Sequence, residues 1–357
     1  MITVNAKELK KAIKAIKMSK IVRPKSRMPI LSYIRIASRG GELELLGSNL
    51  EQTILTRIPC SNSGDDIETT INLSQLDVCL RQINCDEINL QCLTDTRFSL
   101  NNLEIESVKV DEFPNVLFIS NCEEEISITH SFLSELKIVF GATDKSIREN
   151  LMGIYFDSEH SAIVATDGHR LSKLPYKFKG ECSKKIIPNA FFTALFALND
   201  TGNLYLESDQ VLFKSGNCSI YSKYVDGNFP SWEGVIPNNF ATDIKGINVD
   251  KFKSNIDACC QLLKHEKCPA VKLTFSADNT IEFLAKNSAG SKYSASMNGL
   301  TKSRDLTIGV NPFYFSEYVK NIKNNFSLCT SGSLDIITFL NETTDCEYFV
   351  MPLKLDY

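Results

Sequence analysis

Residues 165–171 of this chain are Ala165-Thr166-Asp167-Gly168-His169-Arg170-Leu171, directly after an apolar run at 162–164. The pair Asp167-Gly168 favours a tight turn, because glycine accepts positive φ and aspartate can hydrogen-bond its own backbone. The segment is therefore predicted to form a strand, a turn and a second strand, with His169 and Arg170 just past the bend. An exposed turn that carries Asp, His and Arg suggests an enzyme site, which has to be weighed against a non-catalytic role.

Catalysis by Asp167 and His169 would need further groups that the sequence does not offer. General acid–base chemistry requires a positioned pair in a cleft with a substrate site. The two residues are separated by one glycine and could approach each other. No nucleophile motif, phosphate-binding loop or metal-ligand cluster accompanies them. We therefore expect no catalytic residues, and an Asp/His hydrolase is kept only as a less favoured alternative.

Composition is that of a globular protein with more than one domain. The chain has 357 residues, of which 43% are hydrophobic and 23% charged, so two or three domains with real cores are expected. No run approaches the roughly 18 apolar residues of a membrane helix. The first residues lack the basic region and apolar block of a signal peptide. We expect a cytoplasmic protein with no membrane partner.

Cysteine and histidine usage argues against disulfides and metals. The 12 cysteines are scattered between Cys60 and Cys346, with one adjacent pair and no C-x-x-C spacing. Without a secretory signal this predicts reduced, mostly buried thiols. The four histidines are not paired at ligand spacing. No metal and no cofactor are expected.

A coarse pattern recurs with a period of roughly 120 residues. Each unit has a β segment leading into an amphipathic helix, and a second such step follows about half a unit later. The helices are predicted at 6–18, 74–83, 131–140, 188–198, 250–263 and 312–322. Ser74 and Ser131 are candidate N-caps, and Pro188 and Pro312 suit a first helical turn.

The segments between these helices alternate polar and apolar residues, which is typical of half-buried antiparallel strands. The predicted fold class is α+β, with three repeated domains that each pack two helices on antiparallel sheets. The domains are predicted at residues 1–120, 121–241 and 242–357. Polar, turn-rich residues near Ser120 and Ala241 mark the boundaries.

The first predicted helix is strongly basic although the net charge of the chain is −4. Residues 6–20 contain six lysines against one acid, Glu8. Lysines occupy one helix face, while the opposite face is an apolar stripe of Leu9, Ala12, Ile13 and Ile16. The basic face is either an ordinary solvated surface or a local site for phosphates, which position nucleic acid without reading its sequence. Both interpretations remain open on these residues alone.

Four segments, in order and in spacing, resemble the bacterial sliding clamps, the DNA polymerase III beta subunit family. Residues 165–171 resemble the family segment A-T-D-G-H-R-L. The other three are 27–31 (R-M-P-I-L), 225–237 (V-D-G-N-F-P-S-W-E-G-V-I-P) and 348–355 (Y-F-V-M-P-L-K-L). Together with the threefold pattern, the resemblance covers essentially the whole chain.

The resemblance implies the DNA clamp fold and a ring. Two chains of three similar domains would close head to tail, with helices around the hole and strands outside. The DNA-facing positions would be Lys7, Lys10, Lys11, Lys14, Lys17, Lys20, Lys25, Arg81, Lys137, Lys145, Arg148, Lys251, Lys253, Lys320 and Lys323.

The same resemblance implies a dimer interface between a basic, aromatic edge of the first domain and an acidic edge of the third. The interface positions would be Arg97, Phe98, Leu100, Leu262 and Leu263. Here the acidic strand is replaced by residues 286–292, K-N-S-A-G-S-K, which contain no acid. We therefore expect a homodimer held more by apolar packing and strand pairing than by charge.

A groove for short apolar peptide motifs is also implied by the resemblance. Its lining would be Leu151, Thr166, Gly168, His169, Arg170, Leu171, Pro175, Pro230, Val235, Tyr314, Val350, Met351, Pro352 and Leu353. Aliphatic and Met walls with a few polar groups suit a peptide groove. The C-terminal segment could instead be a strand buried in its own domain, or serve both purposes. Asn150 and Gly234 depart from the tyrosine and arginine common in the family.

The sequence therefore predicts a non-catalytic processivity factor for DNA replication. It would encircle double-stranded DNA without sequence preference and tether the replicative polymerase. Its protein partners would be the DNA polymerase III alpha subunit, the clamp loader and other proteins with clamp-binding motifs. The alternative is a clamp-like scaffold that binds proteins without encircling DNA, which the missing acidic strand keeps open.

Overall fold

The structure is a computed structural model that describes residues 1–114, 122–145, 148–180, 184–239, 242–298, 300–301 and 305–355. The predicted boundary residues Ser120 and Ala241 lie outside these ranges, as do Asp356 and Tyr357 at the C-terminus.

Six α-helices occur in the described residues, two in each third of the chain. They are α1 (Ala6–Ser19), α2 (Leu73–Gln82), α3 (His130–Gly141), α4 (Asn189–Leu198), α5 (Val249–Leu262) and α6 (Pro312–Val319). Short 3₁₀ turns lie at Pro29–Ser32, Val110–Glu112, Glu149–Leu151 and Glu233–Val235. All six predicted helices are confirmed, with ends that differ by at most three residues.

The helix starts differ in detail from the prediction. Asparagine side chains accept hydrogen bonds from the first-turn N–H groups of four helices, at Asn5, Asn72, Asn248 and Asn311. Ser74 and Ser131 are not caps, since both lie inside their helices. Pro188 precedes α4, whereas Pro312 opens α6 as predicted. Asparagine serves as well as serine because its carbonyl oxygen reaches the same exposed N–H groups.

Antiparallel strands make up most of the remaining structure. The first half of the chain contains β1 (Ile2–Asn5), β2 (Tyr33–Arg39), β3 (Glu42–Ser48), β4 (Gln52–Asn62), β5 (Glu68–Asn72), β6 (Glu87–Thr94), β7 (Arg97–Leu100), β8 (Leu103–Val108), β9 (Cys122–Ile128), β10 (Gly153–Asp157), β11 (Ala162–Thr166) and β12 (Arg170–Pro175). The second half contains β13 (Lys185–Pro188), β14 (Gly202–Glu207), β15 (Gln210–Ser215), β16 (Cys218–Lys223), β17 (Thr242–Ile247), β18 (Val271–Phe275), β19 (Thr280–Lys286), β20 (Lys292–Asn298), β21 (Leu300–Thr301), β22 (Leu306–Val310), β23 (Phe326–Thr330), β24 (Ile337–Leu340) and β25 (Glu347–Val350).

Cα packing divides the chain into two compact units. The first comprises Met1–His130, Lys179–Cys182 and Ile187–Tyr224, and the second comprises Ser131–Phe178, Ser183–Ile186 and Val225–Tyr357. The predicted central domain, residues 121–241, thus contributes elements to both units. The three-domain boundaries stay a prediction.

The first unit is built on one 12-stranded sheet. Its order is β1-β6-β7-β8-β5-β2-β3-β4-β16-β15-β14-β9, and an additional β1–β4 pairing closes the first eight strands on themselves. Helix α1 packs against α2, α4 and β4. The predicted apolar stripe of α1 is confirmed, because Leu9, Ala12, Ile13 and Ile16 are all buried. Burying each large aliphatic side chain contributes about 1.5–3 kcal/mol.

The second unit contains two sheets. A nine-stranded sheet has the order β13-β10-β11-β12-β25-β24-β23-β17-β21, and a four-stranded sheet has the order β20-β19-β18-β22. Helices α5 and α6 contact each other, and the rings of Phe252 and Phe315 stack with their centres 6.2 Å apart. The central pairing of β12 with β25 brings the segment 165–171 beside the C-terminal strand.

The 11 cysteines among the described residues are free, as predicted, but they are not mostly buried. Five are buried, three are half-buried and three are exposed. Burial raises the pKa of the Cys259 and Cys346 thiols to about 12 in each case. No helix in the described part of the chain is both long and apolar enough to cross a membrane.

Leu353 and Leu355 lie close to Gly309 in β22. The Leu353 N–H donates to the Gly309 carbonyl oxygen at 2.7 Å, and a Cβ at Gly309 would collide with the Leu353 oxygen and lie 2.7 Å from Leu355 Cγ. A side chain at this position therefore cannot coexist with the observed path of the chain.

We expect Gly309→Ala to lower the free energy of unfolding by about 1–3 kcal/mol, because the added methyl overpacks the contact. Gly234→Ala is the matched control, since a Cβ there meets no atom within 4 Å. Urea unfolding followed by circular dichroism measures both variants. Equal stability of the two variants would contradict the prediction.

Candidate functional site

A groove of about 320 Å³ opens on the second unit beside the β11–β12 hairpin and β25. Its lining is Arg148, Leu151, Thr166, Gly168, His169, Arg170, Leu171, Pro230, Ser231, Trp232, Val235, Ile336, Phe349, Val350 and Met351. Ten of the predicted groove residues are in this set. Pro175, Tyr314, Pro352 and Leu353 are not.

The four predicted residues outside the lining have other positions, and Pro352 among them is half-buried just after Met351. Tyr314 lies beneath the Arg170 guanidinium, whose central carbon is 4.5 Å from the ring centre. Leu353 bridges to Gly309 in the four-stranded sheet. Pro175 is the exposed last residue of β12. The added residues Trp232 and Phe349 fall inside the quoted segments 225–237 and 348–355, so the sequence carried a signal for them.

The turn between β11 and β12 is held by its own side chains. Asp167 Oδ1 accepts hydrogen bonds from the N–H groups of His169 at 2.9 Å and Arg170 at 3.1 Å. The Thr166 hydroxyl donates to the Arg170 carbonyl oxygen at 2.6 Å and accepts from the Gly168 N–H at 3.0 Å. Gly168 has φ +85°, which glycine adopts without strain. The predicted strand–turn–strand is therefore confirmed, and the Asp167 carboxylate is used to shape it.

Arg170 is a buried cation, with 8% of its surface exposed. Its Nε donates to Asp167 Oδ2 at 2.9 Å and its Nη1 donates to the Tyr348 hydroxyl at 3.2 Å. Burial alone would lower the pKa of Arg170, but Tyr348 and the Asp167 carboxylate raise it above its usual value. The Tyr348 hydroxyl in turn donates to the Tyr314 carbonyl oxygen at 3.1 Å. The guanidinium thus ties the turn to β25 and α6.

Arg148 lies on the groove wall, although it was predicted to face DNA. Its Nη2 donates to the Asp167 carbonyl oxygen, and its Nε lies 3.5 Å from Asp144 Oδ2. The guanidinium also lies against Gly168, where a Cβ would come within 2.7 Å of Nη2. Gly168 therefore allows both the bend and the close approach of Arg148.

The floor of the groove is continuous with the core of the second unit. Leu171, Trp232 and Phe349 belong to one buried apolar cluster, together with Tyr155 and neighbouring residues. Two apolar side chains at the rim face solvent, with Met351 49% and Val235 44% exposed. A fixed apolar floor with exposed aliphatic tips is typical of a surface that receives apolar side chains of a peptide.

The indole of Trp232 is hydrogen-bonded to a cluster of polar side chains formed by Asp157, His160 and Glu233. Its indole Nε1–H donates to Asp157 Oδ2 at 3.1 Å, and the same oxygen lies 2.9 Å from His160 Nδ1. His160 Nδ1 also lies 3.3 Å from Glu233 Oε1, in the 3₁₀ turn that carries Val235. The hydrogen bond to Asp157 raises the pKa of His160. The His160 imidazole therefore links Asp157 and Glu233, two groups that position the groove wall.

Among the described residues, Asp157, Glu159 and His160 bring three possible metal-ligand atoms within 4.8 Å of one another. These groups already bind protein partners, since Glu159 also pairs with Lys184 at 2.6 Å. The absence of a metal requirement stays a prediction.

The predicted DNA-facing lysines of α1 are at the surface, beside α2. Lys17 Nζ lies 2.5 Å from Asp77 Oδ2, and Arg81 Nη2 lies 2.6 Å from the same oxygen. Burial opposes ionisation of Asp77, but the hydrogen bonds from Lys17 and Arg81 outweigh it, so the pKa of this carboxyl is lowered. Lys10 Nζ donates to the Ile83 carbonyl oxygen at 2.7 Å. Lys7, Lys11, Lys14, Lys20 and Lys25 are exposed.

In the second unit a carboxylate partly neutralises the side chains that were predicted to face DNA. Lys320 Nζ lies 2.6 Å and Lys145 Nζ 4.0 Å from Glu317 carboxylate oxygens. Lys251, at the start of α5, and Lys323, beyond α6, are exposed, while Lys137 and Lys253 are half-buried. The basic surface is therefore densest on α1.

The predicted dimer-interface residues differ in their burial. Phe98, Leu100 and Leu263 are buried in the cores of their own units. Arg97 is exposed and pairs with Glu104 at 3.3 Å, and Leu262 is half-buried at the end of α5. The side chains of Phe98 and Leu100 point inward because β7 alternates around the closed sheet, which the motif alone does not reveal.

Comparison with known proteins identifies the family. The family model of the DNA polymerase III beta subunit, central domain, matches residues 131–231, and that of the C-terminal domain matches residues 233–354. The chain belongs to the DNA polymerase III beta subunit family. Curated relatives include the beta sliding clamp of Bacillus subtilis, 26% identical over 84% of this chain and 85% of its own length. That of Haemophilus influenzae is 23% identical over 92% of this chain and 93% of its own length.

Solved structures agree on the fold. The beta subunit from DNA polymerase of Streptococcus pyogenes has a TM-score of 0.88 at 20% identity and covers 99% of this chain and 100% of its own. The DNA polymerase III subunit beta from Pseudomonas aeruginosa has a TM-score of 0.87 at 21% identity with the same coverage. The predicted α+β clamp fold is therefore confirmed.

We expect the stabilising contribution of His160 to be larger at acid pH. Because its pKa is raised in the folded state, the contribution is complete below the unfolded value of about 6.5 and is lost as pH rises through the folded value. The difference in melting temperature between the native protein and His160→Gln should therefore be greater at pH 5.5 than at pH 8.5. A difference independent of pH between these limits would show that the imidazolium does not contribute.

Proposed function

We propose that this chain is a DNA sliding clamp that encircles duplex DNA and tethers a polymerase for processive synthesis. The proposal rests mainly on membership of the family. It is supported by the lysine-rich face of α1, which is unusual in a chain whose net charge is −4. A local cationic surface on an acidic protein suits weak contacts to phosphates that do not read sequence. Two copies would be needed to close around DNA, so the proposal includes a homodimer.

The groove serves, in this proposal, as the docking site for short apolar motifs of partner proteins. The expected partners are the DNA polymerase III alpha subunit and the clamp loader. A buried floor that includes Leu171 and Trp232 supports this role, as do the exposed tips Met351 and Val235. His169, exposed at the turn, is suited to hydrogen-bond a peptide backbone.

Catalysis is not part of the proposal. The Asp167 carboxylate accepts three hydrogen bonds from His169 and Arg170, so its oxygens are already used to hold the turn. A general base needs a free lone pair directed at a substrate proton. The turn is better suited to binding than to proton transfer.

Topological retention on DNA is the decisive test. The protein is loaded by its clamp loader on nicked circular plasmid, which is then linearised at one site. A clamp that encircles DNA should be lost from the linear form and retained on the circle, as measured by gel filtration of labelled protein. Retention on both forms would indicate surface binding, and failure to load would favour a scaffold that does not encircle DNA.

The peptide-binding role of the groove is tested by replacing the exposed apolar side chains at its rim. Val235→Asp and Met351→Asp should each weaken binding of a fluorescent peptide carrying the clamp-binding motif of the polymerase alpha subunit at least about 10-fold, or 1.4 kcal/mol. The reason is that a carboxylate at the rim must be desolvated by an apolar ligand. Fluorescence anisotropy measures the change.

The matched control is Leu50→Asp, which changes a comparably exposed apolar residue on the first unit. It should bind the peptide as tightly as the native protein. Equal affinities of all three variants would place the docking site elsewhere.

A further inference from the structure

A second cavity lies in the first unit and shares no lining residue with the peptide groove of the second unit. Its volume is about 600 Å³. The walls come from the C-terminal end of α1 and the segment that follows it, from β4, and from the N-terminal parts of α2 and α4. No carboxylate is among the described residues that line it. The charged side chains of this first-unit cavity are therefore all cationic, which favours an anionic ligand.

Gln52, at the start of β4, contributes a buried amide to the cavity wall and is only 4% exposed. The orientation of this amide is set by Asn49. Asn49 Oδ1 accepts from the N–H groups of Glu51 at 3.1 Å and Gln52 at 2.7 Å, so Asn49 Nδ2 is left to donate to Gln52 Oε1 at 3.5 Å. The Gln52 Nε2 group then has no acceptor among the described residues. A buried donor without an acceptor is unfavourable, and an oxyanion bound in the cavity would supply the acceptor.

Two cations at the cavity have no ionic partner. Lys20 and Arg23 are exposed, and no carboxylate of the described residues pairs with either. A third cation, Lys17, is already paired with a carboxylate of α2 at 2.5 Å. The carbonyl groups at the end of α1 are partly satisfied, because the Ser19 hydroxyl and the Lys20 N–H each donate to one of them. Two positive charges therefore remain available for an anion.

Helix α4 adds hydrogen-bond donors to the same cavity. Its N-cap residue is Pro188, which makes no side-chain hydrogen bond to the first turn. Helices α1, α2, α5 and α6 differ, since each has an asparagine cap. Ala190, in the first turn of α4, lines the cavity. N–H groups at the start of a helix carry partial positive charge and donate readily to phosphate oxygens.

The remaining wall of the cavity is apolar. Val22 and Leu73 are each 4% exposed, and Pro24 also belongs to the lining. The volume is much larger than a phosphate ion, and it lies within the range of about 300–1,000 Å³ typical of small-molecule sites, which combine apolar walls with a few polar groups. No aromatic ring is among the described lining residues, so the wall does not select one base by stacking. The chemistry fits a phosphorylated ligand that carries a nucleoside.

We propose that the first-unit cavity binds a free nucleoside diphosphate. The phosphates lie toward Lys20, Arg23, the Gln52 amide and the start of α4, and the nucleoside lies against Val22 and Leu73. Two cations without partners match two phosphate groups. The inference goes beyond the proposed clamp function and does not depend on it, because one copy of the chain forms the whole cavity without DNA.

Duplex DNA is the competing ligand for these cations. A duplex would approach α1 through its exposed lysines, whereas the Gln52 amide is recessed. The apolar wall offers no contact that a phosphodiester backbone needs, since duplex binding rests on exposed cations. A free nucleotide uses the cations, the buried amide and the apolar wall together, and is therefore the ligand that the cavity favours.

Isothermal titration of the full-length protein tests the ligand class. Adenosine diphosphate and guanosine diphosphate should bind saturably, with dissociation constants within about threefold of each other, because the wall does not read the base. Adenosine monophosphate should bind at least about threefold more weakly, and adenosine should give no measurable heat, because charge-assisted hydrogen bonds carry the affinity. Saturable binding of adenosine as tight as that of the diphosphate would overturn the assignment of the phosphate contacts.

Two variants test the site. Gln52→Leu removes the buried donor at similar volume, and Arg23→Ala removes an exposed cation. Each should raise the dissociation constant of adenosine diphosphate at least about 10-fold, as expected for a hydrogen bond to a charged group. The matched control is Lys7→Ala, which removes an exposed cation at the other end of α1, outside the cavity, and should leave binding unchanged. Thermal melting checks folding, and Arg23→Ala carries the test if Gln52→Leu does not fold.

A fluorescent duplex in low salt, followed by anisotropy, separates the nucleotide from DNA. Gln52→Leu should bind the duplex within about twofold of the native protein, because exposed lysines make those contacts. Equal weakening of duplex and nucleotide binding by Gln52→Leu would assign the cavity to DNA phosphates and overturn the inference.

The inference is also overturned by a lack of saturable binding of adenosine diphosphate up to about 1 mM, or by affinity that a folded Gln52→Leu or Arg23→Ala variant leaves unchanged. None of these results alters retention on circular plasmid, so the clamp proposal is judged separately.

Discussion

One buried cation, Arg170, connects the elements on which the groove depends. Its guanidinium meets the Asp167 carboxylate, the Tyr348 hydroxyl and the Tyr314 ring, which belong to the turn, to β25 and to α6. Breaking a buried ion pair by removing one partner costs about 3–5 kcal/mol, because the remaining charge stays uncompensated. Strand β25 is also in backbone register with β12, and the Met351 N–H donates to the His169 carbonyl oxygen at 2.9 Å. The two walls of the groove are therefore parts of one sheet and cannot separate without exposing this cation.

The division between a buried floor and exposed side chains at the rim follows from this arrangement. Leu171 and Phe349 are adjacent in the β12–β25 register and belong to the buried cluster, so a ligand meets a surface that is already formed. A preformed surface reduces the entropy lost on binding. Met351 and Val235 remain exposed, and the thioether of methionine adapts to side chains of different shape. Asn150 adds a further constraint, since its Nδ2 donates to the Asn228 carbonyl oxygen at 2.8 Å and holds the segment before Pro230.

The features that could be predicted from the sequence are those determined by interactions between residues close together in the chain. The α1 stripe follows from helical periodicity, and the β11–β12 turn follows from Asp167-Gly168, whose interactions span at most a few residues. Ten groove positions were reached through the family resemblance and not through spacing. The compensated charge of Arg97 could not be read from the sequence, because it depends on which residues of β8 stand beside it. The inward orientation of Phe98 and the position of Tyr314 beneath Arg170 likewise depend on partners distant in sequence.

The distribution of charge within the first unit is consistent with a protein whose contacts to DNA are weak. On α1, Lys17 shares the Asp77 carboxylate with Arg81, so part of the positive charge is already neutralised inside the protein. Each phosphate contact releases counterions and strengthens binding, and many strong contacts would oppose movement along the duplex. In the proposed clamp, retention comes from closure of the ring, so the DNA contacts need only centre the duplex. The strength of the proposed assembly then belongs to the interface between the two copies and not to the contacts with DNA.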